Sequence, residues 1–309
     1  MRLAPHPVTL RQLQYVVAVA DHKSFRKAAQ ACAVSQPALS SQVAQLEGAL
    51  GVQLFDRDTT RVLVTSAGEE FVVRARALLI AADQLVDEAQ RSADPLAGPL
   101  RLGVIPTVGP YLLPEVAEPL RAAFPKLRFT WVEERTGQVM KLVHDGGLDG
   151  AIVALETEGL GEVQSLVLGR DAFFLATTHD HLLAKSASAV TPQVLADQNV
   201  LVLEEGHCLG DQVAEVCSRA RGAAVDVRGT SLATLSQMVV GGAGVTLLPA
   251  LSVAVENRRG SLHLRPFVAK APGRTLALVW RKGAPAHKAL KAIAPLLKEA
   301  VARTVRELQ

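Results

Sequence analysis

Apolar positions recur at helical spacing through the first ninety residues and as short continuous runs beyond residue 100. Leu10, Leu13, Val16, Val17 and Ala20 share one face of a predicted helix over 10–20. Ser24 is placed to cap a second short helix over 25–31. Ser35 is the next N-cap candidate, and Pro37 is tolerated in a first turn. The helix they open, over 38–50, carries Leu39, Val43, Leu46 and Leu50 as its stripe and ends at Gly51. Two short helices joined by a tight turn, the second polar on its outer face, match a helix-turn-helix. Runs at 53–57 and 59–65 around a polar turn read as a hairpin, the wing of such a domain.

Residues 67–91 form one proline-free helical stretch, with Phe71, Leu78, Leu79, Ala82, Leu85, Val86 and Ala89 at helical spacing. A helix of ~25 residues buries such a stripe most easily against a second copy of itself, which predicts dimerisation. The segment from Asp94 to Pro99 breaks the helix and reads as a hinge. Strands over 100–105, 127–132 and 150–155 then alternate with helices over 114–124 and 138–144, a βαβ pattern that predicts an open, mostly parallel sheet. Strands over 172–177, 200–203, 225–228 and 245–248 continue the series, with helices over 232–240 and 285–308. Two such sheets side by side leave a cleft with strand ends and helix N-termini pointing in.

With 309 residues, 49% hydrophobic and 20% charged, the chain is long enough for two or three globular domains. No apolar run of ~20 residues predicts a membrane span, and the N-terminus has no apolar signal core. The three cysteines, Cys32, Cys208 and Cys217, are therefore expected in a reducing cytoplasm, where a disulfide is transient or sensory. The net charge of +3 does not by itself imply nucleic acid. Residues 1–65 nevertheless hold seven Lys and Arg against four Asp and Glu, with Arg57 and Arg61 on the wing available to phosphates. Ser35, Gln36, Ser40, Ser41, Gln42 and Gln45, with Pro37 between them, offer hydrogen-bonding groups suited to base edges. An ordinary three-helix domain with a polar face is the competing reading.

The segment from Glu204 to Cys217 carries the candidate chemistry. Asp211 reads as the N-cap of a helix over 212–220, so Cys208 falls in the turn ahead of a helix N-terminus. That position favours a thiolate, and His207 can add positive charge. Cys217 lies nine positions on, so an intact helix holds the two Cα atoms on the order of 13 Å apart. A disulfide requires about 7 Å or less. The pair is either inert, or part of a zinc site with His207 that lacks a clear fourth ligand, or a switch whose closure refolds the segment.

Residues Ala28-Ala29, Val34-Ser35-Gln36-Pro37-Ala38-Leu39-Ser40, Leu46-Glu47, Leu50 through Arg57 and Thr65-Ser66-Ala67-Gly68 together resemble the DNA-binding end of LysR-type transcriptional regulators. The resemblance implies that the helix over 36–50 enters the major groove of double-stranded DNA and that the wing touches its backbone. The implied fold is α/β with an all-α winged helix-turn-helix head (1–65), a linker helix (66–92), a hinge (93–99) and a two-lobed regulatory domain like periplasmic binding proteins. Lobe I takes 100–169 plus 275–309, and lobe II 170–274.

Gly98 to Pro114, Gly206-His207-Cys208-Leu209, Asp211-Gln212 with Cys217, Thr230-Ser231-Leu232 and Gly244 to Leu251 are similar to the peroxide-sensing branch of that family. That similarity implies hydrogen peroxide as signal, Cys208 as the peroxidatic thiolate and Cys217 as the resolving thiol. Thr107, Thr136, His207, Asp211 and Arg274 are the implied peroxide-pocket residues, with Arg274 lending charge to Cys208. It further implies a homodimer or homotetramer that works with RNA polymerase, glutaredoxin or thioredoxin as reductant, and no cofactor, metal or enzymatic turnover. Gly210 departs from the family pattern, which often has a basic residue there, and so does Gly222-Ala223-Ala224. Cys32 is expected in the core. Two rivals are a family member gated by a small organic effector in the cleft, and a thiol peroxidase with an appended head.

Overall fold

Thr9 sets the start of the first helix: its hydroxyl accepts from the Gln12 amide while the Gln12 side chain accepts from the Thr9 amide. The computed structural model describes residues 6–57, 62–157, 159–204, 206–220, 224–229, 231–268 and 271–306, in two units, 1–86 and 87–309. The first unit contains α1 (Leu10–His22), α2 (Phe25–Ala31), α3 (Gln36–Leu50) and the antiparallel pair β1 (Phe55–Arg57) and β2 (Val62–Val64). As expected, the Ser24 and Ser35 hydroxyls accept from the Lys27 and Ala38 amides, and Gly51 closes α3 at φ 69°. Leu39, Val43 and Leu46 are fully buried.

The α1 face differs from the predicted stripe. Leu10 is exposed, whereas Gln12, Tyr15 and Val19 are buried beside Leu13 and Val16. The capping box turns Gln12 inward and Tyr15 buries its ring, which rotates the covered face. Cys32 is half-buried at the C-cap of α2 rather than enclosed. The wing turn with Arg61 and the side chain of Arg57 lie outside the described residues, as do Gly222, Ala223 and Thr230.

α4 (Ser66–Ala93) runs 28 residues. Val72 and Ala75 are buried and Phe71, Leu79 and Ala82 half-buried, but Leu78, Leu85 and Val86 are 57%, 70% and 56% exposed. Its C-terminal end is tied down within the second unit. Arg101 reaches Asp87 at 3.1 Å and Asp149 at 3.5 Å, and Lys126 reaches Asp94 at 2.9 Å. Of the expected hinge, Gly98 and Pro99 already belong to a strand.

The second unit runs β3 (Gly98–Val104), α5 (Gly109–Ala123), β4 (Leu127–Glu133), α6 (Thr136–Asp145), β5 (Gly150–Ala154), β6 (Val163–Thr177) and β7 (Val200–Leu203). It continues with α7 (Cys208–Arg219), β8 (Ala224–Gly229), α8 (Leu232–Val240), β9 (Thr246–Pro249), α9 (Ala250–Glu256), β10 (His263–Pro266), β11 (Gly273–Arg281) and α10 (His287–Arg306). α5 starts five residues before the predicted position, because Pro110 suits its first turn and Pro114 is carried inside the helix.

The sheet order is β10-β6-β11-β5-β3-β4, with β9 also on β6. β3 is parallel to β4 and β5, as the βαβ pattern predicts. The rest of this sheet is antiparallel, so it is mixed rather than mostly parallel. The reason lies in two long strands. β6 and β11 pair antiparallel from Gly273↔Ala172 to Arg281↔Val163 and carry the chain in opposite directions between the two half-sheets. β7 and β8 form a separate parallel pair that supports the start of α7.

Candidate functional site

The chain leaves β7 through Gly206, held at φ 90°, beside an ion pair between Arg135 and Glu204. His207 is the N-cap of α7, without a side-chain cap bond, and Cys208 is the first helical residue. The helix thus starts four residues earlier than predicted, and Asp211 lies inside the first turn, exposed, rather than capping it. The early start has a local cause. The Gly210 amide donates to the His207 carbonyl at 2.8 Å, and a Cβ on Gly210 would lie 2.6 Å from the Leu203 carbonyl oxygen. Only glycine lets this turn press so closely onto the end of β7.

Cys208 is 5% and Cys217 1% exposed, and both thiols are free. They sit nine residues apart on one unbroken helix, so about 13 Å separates their Cα atoms. That span excludes a disulfide in this state. It also excludes a shared zinc ion, whose thiolate bonds are ~2.3 Å long. Burial pushes the Cys217 thiol up, which keeps it protonated.

A cavity of about 500 Å³ opens beside Cys208, lined also by Glu156, Thr157, Asp211, Gln212 and Glu215. Both amide atoms of Gln212, which is 7% exposed, and the Thr157 hydroxyl are buried without a hydrogen-bond partner. Such groups cost stability unless a guest or water satisfies them. Gln212 was missed as a site residue, although one polar side chain among Leu209, Val213 and Cys217 on a buried helix face is a readable signal. Thr136 opens α6, and its buried hydroxyl is also unpartnered, but it lines neither this cavity nor the next.

A second cavity, of about 420 Å³, lies between the lobes, with Thr107, Tyr111, Glu133, Arg135, His207 and Glu256 in its wall. The neighbours His207 and Cys208 therefore face different cavities. Burial, followed by the charge of Arg135, lowers the His207 pKa against the opposing pull of Glu204. Burial and Arg135 thus work against the positive charge expected of His207.

Arg274 is fully buried. Its Nε donates to Asp171 at 3.0 Å, and its two terminal nitrogens donate to the Thr107 hydroxyl at 2.6 Å and the Thr107 carbonyl at 2.9 Å. Asp171 also accepts from the Leu251 amide at 2.9 Å. Burial pushes the Asp171 carboxyl up, and the Arg274 charge and both donated bonds oppose that push. A buried guanidinium requires such a partner, so the charge expected to serve Cys208 is spent on Asp171. Because the Thr107 oxygen accepts from Arg274, its own proton is left to donate elsewhere.

On the head, Ser35, Gln36, Pro37, Ser41 and Gln45 are exposed, and Ser40 and Gln42 are half-buried. Gln42 donates to Gln45 at 3.2 Å, which aligns the two amides along one face of α3.

A winged helix-turn-helix head followed by a two-lobed α/β unit defines a bacterial transcription regulator that carries its own sensor. Residues 10–69 match the bacterial regulatory helix-turn-helix model of the lysR family, and 93–302 match the LysR substrate binding domain. The chain belongs to the LysR family. It is 42% identical over 296 residues to a hydrogen peroxide-inducible genes activator of Pectobacterium carotovorum, covering 94% of this chain and 96% of that one. Its structure is similar to full-length Pseudomonas aeruginosa OxyR with a cysteine-to-aspartate substitution (TM-score 0.73, 34% identity, 95% and 96% coverage). It is also similar to a peroxide-bound cysteine-to-serine mutant of Corynebacterium glutamicum OxyR (TM-score 0.66, 34% identity, 98% and 95% coverage).

Proposed function

We propose that the chain is a hydrogen-peroxide-sensing transcription regulator whose signal is a Cys208–Cys217 disulfide. The observation that carries this reading is the thiol at the start of α7, beside a cavity with unsatisfied polar groups and a second thiol out of reach on the same helix. The Cys208 thiolate attacks one peroxide oxygen. The O–O bond breaks, the thiolate becomes a sulfenic acid and hydroxide leaves. The Cys217 sulfur then displaces that hydroxyl, releasing water and forming the S–S bond. Closure requires α7 to unwind.

Gln212, Thr157 and Asp211 line the cavity that receives peroxide; Thr107 and His207 wall the adjoining cleft, Arg274 positions Thr107 from behind, and Thr136, at the start of α6, stands outside both cavities. Ser35, Gln36, Pro37, Ser40, Ser41, Gln42 and Gln45 of α3, with Arg57 and Arg61 of the wing, contact DNA. The exposed Leu78, Leu85 and Val86 on α4 pair two copies, in a homodimer or homotetramer. The head (1–65), linker (66–92) and two lobes meeting at 169/170 and 274/275 belong to this reading, while of the expected hinge (93–99) residues 94–97 lie between α4 and β3. The thiol reacts once per signal in the cytoplasm, glutaredoxin or thioredoxin resets it, and the output passes to RNA polymerase at antioxidant genes.

The test is DNA footprinting of the reduced and peroxide-treated protein beside Cys208→Ser. The wild-type footprint changes with peroxide and the variant's does not; a variant that still responds contradicts the reading. The interlobe cavity favours a second reading, gating by a small organic effector. A metabolite that raises the melting temperature saturably, with no disulfide under peroxide, is its signature.

A further inference from the structure

The Cys208 cavity has a charge character that its role as a peroxide pocket does not require. Three of its six lining residues, Glu156, Asp211 and Glu215, are carboxylates, and no basic side chain lines it among the described residues. Glu156 is fixed by bonds from the Thr275 amide at 2.7 Å and the Thr275 hydroxyl at 2.7 Å. Burial works against its charge, but these bonds and Arg170 hold its carboxyl below the usual range, so it stays ionised. Glu215 pairs with Arg219 one helical turn on, an exposed pair that offsets part of its charge. The remaining polar groups, the Gln212 amide and the Thr157 hydroxyl, are buried, neutral and unpartnered.

We propose that this acidic lining makes the cavity a charge filter, which admits small neutral oxidants able to donate and accept hydrogen bonds and turns away anionic oxidants and anionic thiols. The proposal rests on the peroxide-sensing reading and adds the class of oxidant that the site accepts. Hydrogen peroxide is uncharged, donates two hydrogen bonds and accepts at both oxygens, so it complements a primary amide and a hydroxyl. Hypochlorite, or a thiolate carrying carboxylates, meets like charge at the mouth at separations shorter than the ~8 Å screening length of physiological salt. Asp211, Glu215 and Glu156, all exposed on the cavity lining, are the specificity-determining residues.

The probe is a pair of alkylating reagents of nearly equal size, neutral iodoacetamide and anionic iodoacetate. Rates are measured at Cys208 by peptide mass analysis of the full-length reduced protein. Both reagents react with the same thiolate, so their rate ratio cancels any change in its ionisation. The expected iodoacetate-to-iodoacetamide ratio at Cys208 is several-fold below that of a small uncharged thiol in the same buffer. It rises toward that reference at 1 M salt, where screening falls to about 3 Å. Asp211→Asn and Glu215→Gln, each nearly isosteric, raise the ratio several-fold at low salt. A wild-type ratio equal to the reference and insensitive to salt overturns the proposal whatever the variants do. Peroxide oxidation is scored separately. A depressed ratio in a protein whose Cys208 ignores peroxide would refute the sensing reading and leave the filter standing; a reference ratio in a protein that forms the disulfide would refute the filter alone.

Discussion

Two helices of similar length, α3 and α7, are secured in opposite ways. α3 opens on a serine whose hydroxyl accepts a backbone bond and closes on a left-handed glycine, and Leu39, Val43 and Leu46 of its apolar stripe are fully enclosed. α7 opens on His207, which makes no cap bond, carries Gly210 in its first turn and encloses the unsatisfied amide of Gln212. A side-chain cap contributes about 1 kcal/mol, whereas the interior-glycine cost of about 1 kcal/mol relative to alanine falls on both helices, at Gly48 in α3 and Gly210 in α7. α3 has one arrangement and presents a fixed polar face. α7 lacks that side-chain cap, which suits the unwinding that the proposed Cys208–Cys217 disulfide requires.

The largest expected effect breaks the secure member of the pair. Leu46→Ala leaves a cavity in the centre of the head and costs about 2–5 kcal/mol. Calorimetry should show the head melting earlier and DNA binding lost at moderate temperature, while Cys208 oxidation proceeds at its normal rate. Slowed oxidation would mean that the two regions are not independent.

The middle effect sharpens the contrast at Gly210. Alanine there improves helix propensity by up to about 1 kcal/mol. Its Cβ, however, meets the Leu203 carbonyl oxygen at 2.6 Å, and backbone yields poorly. The clash exists only while α7 is folded, so Gly210→Ala destabilises the dithiol form. Its midpoint potential against a glutathione couple should become more negative by tens of millivolts, about 30 mV for each 1.4 kcal/mol. A shift to more positive potential would show that propensity outweighs packing at this turn.

The smallest effect is on pH. The His207 pKa in the folded protein lies below its unfolded value of about 6.5, so the unfolded chain takes up the proton first as pH falls. Stability from this group is complete above about pH 6.5 and is lost as pH drops toward the folded value. The melting temperature of the reduced protein should fall between pH 7.5 and 5.5 by a degree or two more than that of His207→Gln. An equal fall in both would remove His207 from the account.

What the sequence revealed follows the range of the forces involved. Ser24, Ser35 and Gly51 act within one turn, and Val200–Leu203 and Leu232–Val240 are bounded as predicted because each is a local pattern. The start of α7 was placed too late because Asp211 has cap chemistry, while the actual start is set by Leu203 and by the turn at Gly206 beside Arg135. The first half of β6 was missed because Gln164, Ser165 and Arg170 interrupt its apolar pattern; its order comes from β11, more than a hundred residues on. Arg274 is singled out by the family resemblance, but its partner Asp171, 103 positions away, is not. Neither is the separation of Thr107 and His207 from Cys208 and Asp211 into two cavities.

The central claim is that α7 gives way so that Cys208 and Cys217 join. It is tested most directly by treating the reduced protein with about one equivalent of hydrogen peroxide and mapping its thiols by non-reducing peptide mass analysis. The account predicts a fast, intramolecular Cys208–Cys217 disulfide with Cys32 still free. Surviving thiols, or a bond that uses Cys32 or joins two chains, would contradict it.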